Sequence, residues 1–304
     1  MPRSQHKVRT INLKKSIDYR LSSAAYSVKT WLLKKVPRFL VPRKKHLGDT
    51  LEIGITTYID RYDLFFKPLY KQVRELFPEV RLRVVVNGFY KEEEQQDYLR
   101  RVESELCTSL GENITFVLHD SPKGLTRLWN EILSQNQTEF ALLLNDDLEV
   151  LPWFRRWLET AAWKTSHVTL LDGIWSHFVI SSRALDDIGW FDEEFPGIGF
   201  EDMDYTARCL ASDVEIANVR CPYLQHRDHK PVRTSFDDVS SRAWDWYSTV
   251  NQDHFFKKWR LATAPTKIYI KQLCDYVEST GYVGQIAKPL MLKFNKGLCY
   301  PDRQ

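Results

Sequence analysis

No run of eighteen apolar residues occurs anywhere in the 304-residue chain. A bilayer-crossing helix needs about twenty, so none is expected. The first fifteen residues are polar, with neither an apolar core nor a small-residue cleavage site, and do not read as a secretory signal. Cysteine is sparse: Cys107, Cys209, Cys221, Cys274 and Cys299 are scattered, and no two have the spacing of a zinc ribbon or redox pair. Reduced thiols in a cytoplasmic protein are the simplest account. Internal repeats and low-complexity tracts are also missing.

What is present is a large apolar fraction, 43%, with 13% aromatics and ten Trp. That is enough for a sizeable core. The net charge of +3 hides an asymmetry, because residues 1–46 carry +12 and the remainder −9. In the basic arm, Ile17, Leu21, Ala24, Val28, Leu32 and Val36 recur at steps of three and four, the spacing of one helical face. A basic amphipathic helix of this kind suits an anionic membrane surface, or else packs on the domain that follows. No nucleic-acid-binding module accompanies the charge, so nucleic acid is not an expected partner.

From Leu51 onward the pattern changes. LEIGITTY, RLRVVVN, ITFVLHD and FALLLN read as strands, separated by segments of helical periodicity. Strands alternating with helices imply βαβ units and parallel pairing. FALLLNDDLEV, residues 140–150, is the centre of this arrangement. Its unbroken apolar run suits a strand buried on both faces, and Asp146 and Asp147 follow at its exit. The C-terminal edge of such a sheet is where ligands bind. A carboxylate pair there suits a divalent cation holding a diphosphate, since hard cations take both kinds of oxygen. Asn87-Gly88, after the second strand, is a turn pair.

Five motifs come in order: ITTYIDR, VVVNG, GLTRLWNEI, LLLNDDLEV and, about 55 residues later, GFEDMDYTARC. In that order the chain, from Leu51 to about Ser235, resembles the family 2 glycosyltransferases, which have the GT-A fold and use nucleotide-activated sugars. The resemblance implies an α/β architecture with a mixed, mainly parallel sheet flanked by helices. Here that sheet would belong to a catalytic domain, residues 47–239, between the arm (1–46) and a helical C-terminal extension (240–304). The donor would be contacted by Thr56, Thr57, Tyr58 and Arg61 after the first strand and by Asn87 after the second. Lys123, Gly124, Arg127 and Asn130 would close over the nucleoside.

Asn145-Asp146-Asp147 stands at the DxD position of the family. The resemblance makes Asp147 a ligand of Mn2+ or Mg2+ and places Asp146 nearer the ribose or behind the ligands. His226 would complete the metal site, with His229 as the alternative. Glu201-Asp202 matches the family's general-base pair: Asp202 would deprotonate an acceptor hydroxyl while Glu201 orients it. Asp204 is read as a helix-start residue. Gly173, Trp175 and His177 are expected on the acceptor side. The function implied is inverting transfer from a nucleotide sugar to a glycan or lipid-linked acceptor, in surface polysaccharide or glycolipid assembly. The protein would lie peripherally at the inner face of the membrane. Two rivals are a non-catalytic nucleotide- or carbohydrate-binding protein and a sugar nucleotidyltransferase. The second would need a Gly-rich phosphate loop after the first strand, which ITTYIDR lacks.

Overall fold

The computed structural model describes residues 46–88, 91–106, 113–121, 123–160, 162–212, 214, 216–227, 250–255 and 257–259. The basic helix expected at 17–36, with its membrane contact, lies outside them, as do Asp228, His229 and the extension beyond residue 259. No helix among the described residues is long and apolar enough to cross a membrane.

The first half alternates as expected. Strand β1 (Leu51–Tyr58) leads through two short turns of helix into α1 (Lys67–Leu76) and then to β2 (Arg81–Asn87). Helix α2 (Glu92–Leu106) connects to β3 (Ile114–Leu118), and α3 (Leu125–Ser134) to β4 (Phe140–Asn145). These four strands are parallel, in the order β3-β2-β1-β4. Their register is nearly flush at the C-terminal edge, with Tyr58 opposite Asn87 and Thr56 opposite Asn145. Residues named from three separate motifs therefore share one edge.

The second half reverses direction. Strands β6 (Val168–Leu171) and β7 (Ile174–Ser181) form an antiparallel hairpin, and β7 runs antiparallel to β4. The cause is local. Asp172 and Gly173 both have positive φ, 58° and 74°, the conformation of a tight two-residue hairpin turn. Strand β8 (Ile216–Val219) completes a sheet of seven strands among the described residues, order β3-β2-β1-β4-β7-β6-β8. The mixed, mainly parallel sheet flanked by helices is therefore present. A separate two-stranded ribbon, β5 (Leu148–Val150) with β9 (Leu224–His226), was not foreseen. After β5 comes α4 (Phe154–Thr160), followed by a short tight helix, Ala162–Thr165.

Strand alternation divides the core in two. Leu82, Val84 and Val86, with Leu142 and Leu144, face α1 and α2. Val85, Ala141 and Leu143 face Leu128, Trp129, Ile132 and Leu133 of α3. This period of two is what a strand covered on both sides requires. Gly54 allows α3 to lie against β1: a Cβ there would meet the Ile132 side chain at 2.3 Å.

Candidate active site

A cavity of about 250 Å³ opens at the edge where β1, β2 and β4 end. Thr56, Thr57, Tyr58 and Arg61 line it from β1 and the turn beyond. Asn87 and Lys123 come from the next layer, and Asn145, Asp146 and Asp147 from the exit of β4. Leu125, Leu128 and Ile198 supply an apolar wall.

Asp146 is buried, and its carboxylate is clamped. Thr57 Oγ1 donates to Oδ2 at 2.7 Å, Arg61 Nε reaches both oxygens at 2.9 Å, and Arg61 Nη2 lies 2.8 Å from Oδ1. Burial pushes this carboxyl up, while Arg61 and Thr57 pull it back down. The Arg61 guanidinium also sits 4.1 Å from the centre of the Phe65 ring. Asp146 thus fixes Arg61 at the cavity wall. Asp147 is more open. Arg61 Nη2 stands 3.8 Å from its Oδ2, and His226 Nδ1 3.6 Å from its Oδ1.

The unforeseen ribbon brings that histidine in. Strand β9 pairs with β5 so that His226 lies opposite Leu148, and Arg227 N donates to Asp147 O at 2.7 Å. Asp147 raises the His226 pKa. His177, at 2% exposure, is driven the other way, to about 4, first by burial and then by the neighbouring His226. A carboxylate and an imidazole side by side are a donor set suited to Mn2+, and the residues fit such an ion.

Asn87 lines the cavity, but its amide is engaged in a reciprocal pair with the Lys123 backbone: Nδ2 to O and N to Oδ1, both 2.9 Å. It secures the loop that carries Lys123. Gly88 (φ 94°) lies so close to Tyr58 that a Cβ would meet the phenol ring at 2.2 Å. A side chain at residue 88 would therefore displace Tyr58.

Gly124, Arg127 and Asn130 are not brought to the cavity. Asn130 is buried and bonds the Phe191 backbone in both directions, with a further contact to Glu193 Oε1 at 2.9 Å. Arg127 pairs with Glu193 Oε2 at 2.7 Å, and a Cβ on Gly124 would strike the Phe195 carbonyl at 2.6 Å. These three residues anchor the loop 191–198, whose last residue, Ile198, lines the cavity.

Three residues after Ile198 begins α5 (Glu201–Ala211). Gly199 and Phe200 turn into it with φ of 105° and 70°, a conformation costly for Phe. Glu201 is buried, its Oε2 has no hydrogen-bond partner among the described residues, and burial raises its carboxyl well above the usual range. Asp202 is half-buried, and its carboxyl is raised by the same cause. Its Oδ1 accepts from Met203 N at 2.8 Å. Neither residue lines the cavity itself. Asp204 belongs to the framework, held by Arg208 Nε at 3.0 Å, Trp259 Nε1 at 2.8 Å and Lys258 Nζ at 2.7 Å.

The segment 250–259 was missed as a site support. Asn251 Nδ2 donates to Gly199 O at 2.7 Å, just before the acid pair. Asp192, Glu194 and His254 gather there as ligand-type groups, but Lys258 Nζ lies 2.6 Å from Asp192 Oδ2 and already supplies the cation. Trp175, expected on the acceptor side, is packed edge-on against Phe178, Phe191 and Tyr205.

No family model matches the chain, and no curated protein matches it. Similar solved structures include the mannosyltransferase PcManGT from Pyrobaculum calidifontis, in complex with GDP-Man and Mn2+. It is 14% identical, with a TM-score of 0.49 over 91% of this chain and 84% of that one. Glucosyl-3-phosphoglycerate synthase from Mycobacterium tuberculosis, with Mn2+, UDP and glucosyl-3-phosphoglycerate, is also 14% identical (TM-score 0.44, 67% of this chain, 80% of that one). TarS of S. aureus is 13% identical (TM-score 0.45), and the match spans 79% of this chain and half of that one.

Proposed function

We propose that the chain is a metal-dependent, inverting glycosyltransferase that moves a sugar from a nucleotide sugar to a glycan or lipid-linked acceptor. One observation carries this reading. A single cavity at the sheet edge gathers Thr57, Arg61, Asn87, Lys123 and Asp146, from separate segments, around Asp147, with His226 beside it. The order of the five sequence motifs supports it independently.

In this reading Tyr58 and the Asn87–Lys123 loop hold the nucleoside, and Lys123 offers its ammonium to the phosphates. Arg61, fixed by Asp146, presents positive charge to the diphosphate at no cost in reorganisation. Asp147 and His226 would hold Mn2+ or Mg2+, which when bound would supply Lewis-acid stabilisation of a departing nucleoside diphosphate. Asp202 takes the acceptor proton. Its raised pKa brings it nearer the operating pH, where a general base works best. Glu201 orients the acceptor from behind. The basic arm suggests an acceptor at an anionic membrane, as in surface polysaccharide or glycolipid assembly at the inner face.

A panel of UDP- and GDP-sugars, assayed with and without Mn2+ and followed by anomeric analysis of the product, tests the reading. Metal-dependent transfer with inversion is expected. Nucleotide binding without transfer or hydrolysis from any donor would favour a non-catalytic binding protein. Removal of residues 1–46 is expected to release the protein from anionic vesicles; unchanged sedimentation with them would refute the anchor.

A further inference from the structure

Two histidines meet around one serine beside Asp147. Ser176 Oγ lies 2.8 Å from His177 Nδ1 and 3.1 Å from His226 Nε2, and the two rings are 5.6 Å apart. At its other nitrogen, Nδ1, His226 stands 3.6 Å from Asp147 Oδ1. The two rings arrive on different strands. His177 pairs with Leu144 just before the acidic turn, and His226 with Leu148 just after it. Backbone register therefore delivers an imidazole from each side of Asn145–Asp147, and Ser176 links them.

A neutral imidazole carries one N–H and one lone pair, and the partner of one nitrogen sets the role of the other. To share a cation with Asp147, His226 must keep a lone pair on Nδ1 and its proton on Nε2. Ser176 Oγ then accepts that N–H, and its single hydroxyl proton is left for His177 Nδ1. The His177 ring is buried, so its position is fixed by packing rather than by water.

We propose that Ser176 and His177 are positioning residues that hold His226 in the tautomer whose Nδ1 lone pair faces Asp147. This rests on the reading of Asp147 and His226 as cation ligands. Partners behind a ligand histidine are typically worth about 10- to 100-fold in metal affinity.

The test is Mn2+ binding by the full chain, followed through loss of the free-ion EPR signal, with UDP and GDP binding measured in EDTA. Ser176→Ala is expected to weaken Mn2+ binding by about tenfold or more, and His177→Phe by less. Ser176→Thr, which keeps the hydroxyl, should restore it, and metal-free nucleotide binding should not change in any variant. Equal Mn2+ affinity in wild type and Ser176→Ala overturns the relay and leaves the glycosyltransferase reading standing. A loss in Ser176→Thr as large as in Ser176→Ala also overturns it, because the effect would then be packing. No Mn2+ binding by the wild type, with or without nucleotide, removes both the metal-dependent reading and the relay.

Discussion

Asp146 and Glu201 are equally hidden, 4% and 5% exposed, yet their surroundings are opposite. Asp146 has a guanidinium across both oxygens and a hydroxyl on one. Among the described residues, Glu201 has only backbone groups pulling its pKa down, and the charge acting on it is Asp202, of its own sign. Burial raises both carboxyls, but at Asp146 a cation opposes it, and at Glu201 none among the described residues does. A paired buried acid acts as a strut, whereas an unpaired one tends to hold a proton. On the proposed function, the donor side is charge-matched in advance, and the acceptor side is left without a counter-charge, a condition suited to taking up a hydroxyl.

The sharpest way to break this comparison is Asp202→Asn. Transfer should fall by about 10²–10⁴-fold, while nucleotide affinity in a binding assay stays near wild type. Retained turnover would remove Asp202 as the base. In the wild type, the acid limb of the rate profile should lie above the ordinary carboxyl value of 3.8, because burial raises this group.

Next in size is Arg61→Met, which strands a buried carboxylate. Urea unfolding should show a loss of about 3 kcal/mol near pH 7. The loss should shrink towards pH 4, where Asp146 can take a proton. A loss independent of pH would mean that Arg61 acts by packing alone. Thr57→Val removes one hydrogen bond to the same carboxylate and should cost about 1.5 kcal/mol in that assay.

The smallest effect sharpens the comparison from the other side. The raised pKa of Glu201 means that its favourable contribution is complete below the unfolded value, near 4.5, and is lost as pH rises through the folded one. Glu201→Gln stays neutral throughout. It should melt higher than wild type at pH 8, by about 2–4 °C for about 1 kcal/mol, with the difference vanishing near pH 4. A lower melting point at pH 8 would show the carboxylate to be paired after all.

The first four strands were legible because each is a compact apolar run with a turn signal at its exit, and parallel register then brings Tyr58, Asn87 and Asn145 to one edge. The reversal in the second half was also written locally, in Asp172-Gly173, a hairpin pair that the surrounding apolar run obscured. The β5–β9 ribbon was not legible: its strands are three residues each, too short for any periodicity, and only the finished sheet brings them together. Arg127 and Asn130 show another limit. Their types fit a phosphate or a ribose, but Glu193 and the Phe191 backbone reach them first, and nothing near residue 130 in sequence announces that partner.

The ribbon has a consequence for assembly. It joins Leu148 to Arg227, 79 positions apart, through only three register pairs. On the proposed function, a nascent chain ending before residue 226 would offer a divalent ion the Asp147 carboxylate without the His226 imidazole. Ion capture would then report that β9 has docked, and the ion would favour the protein with β9 in place over every shorter or looser form of it.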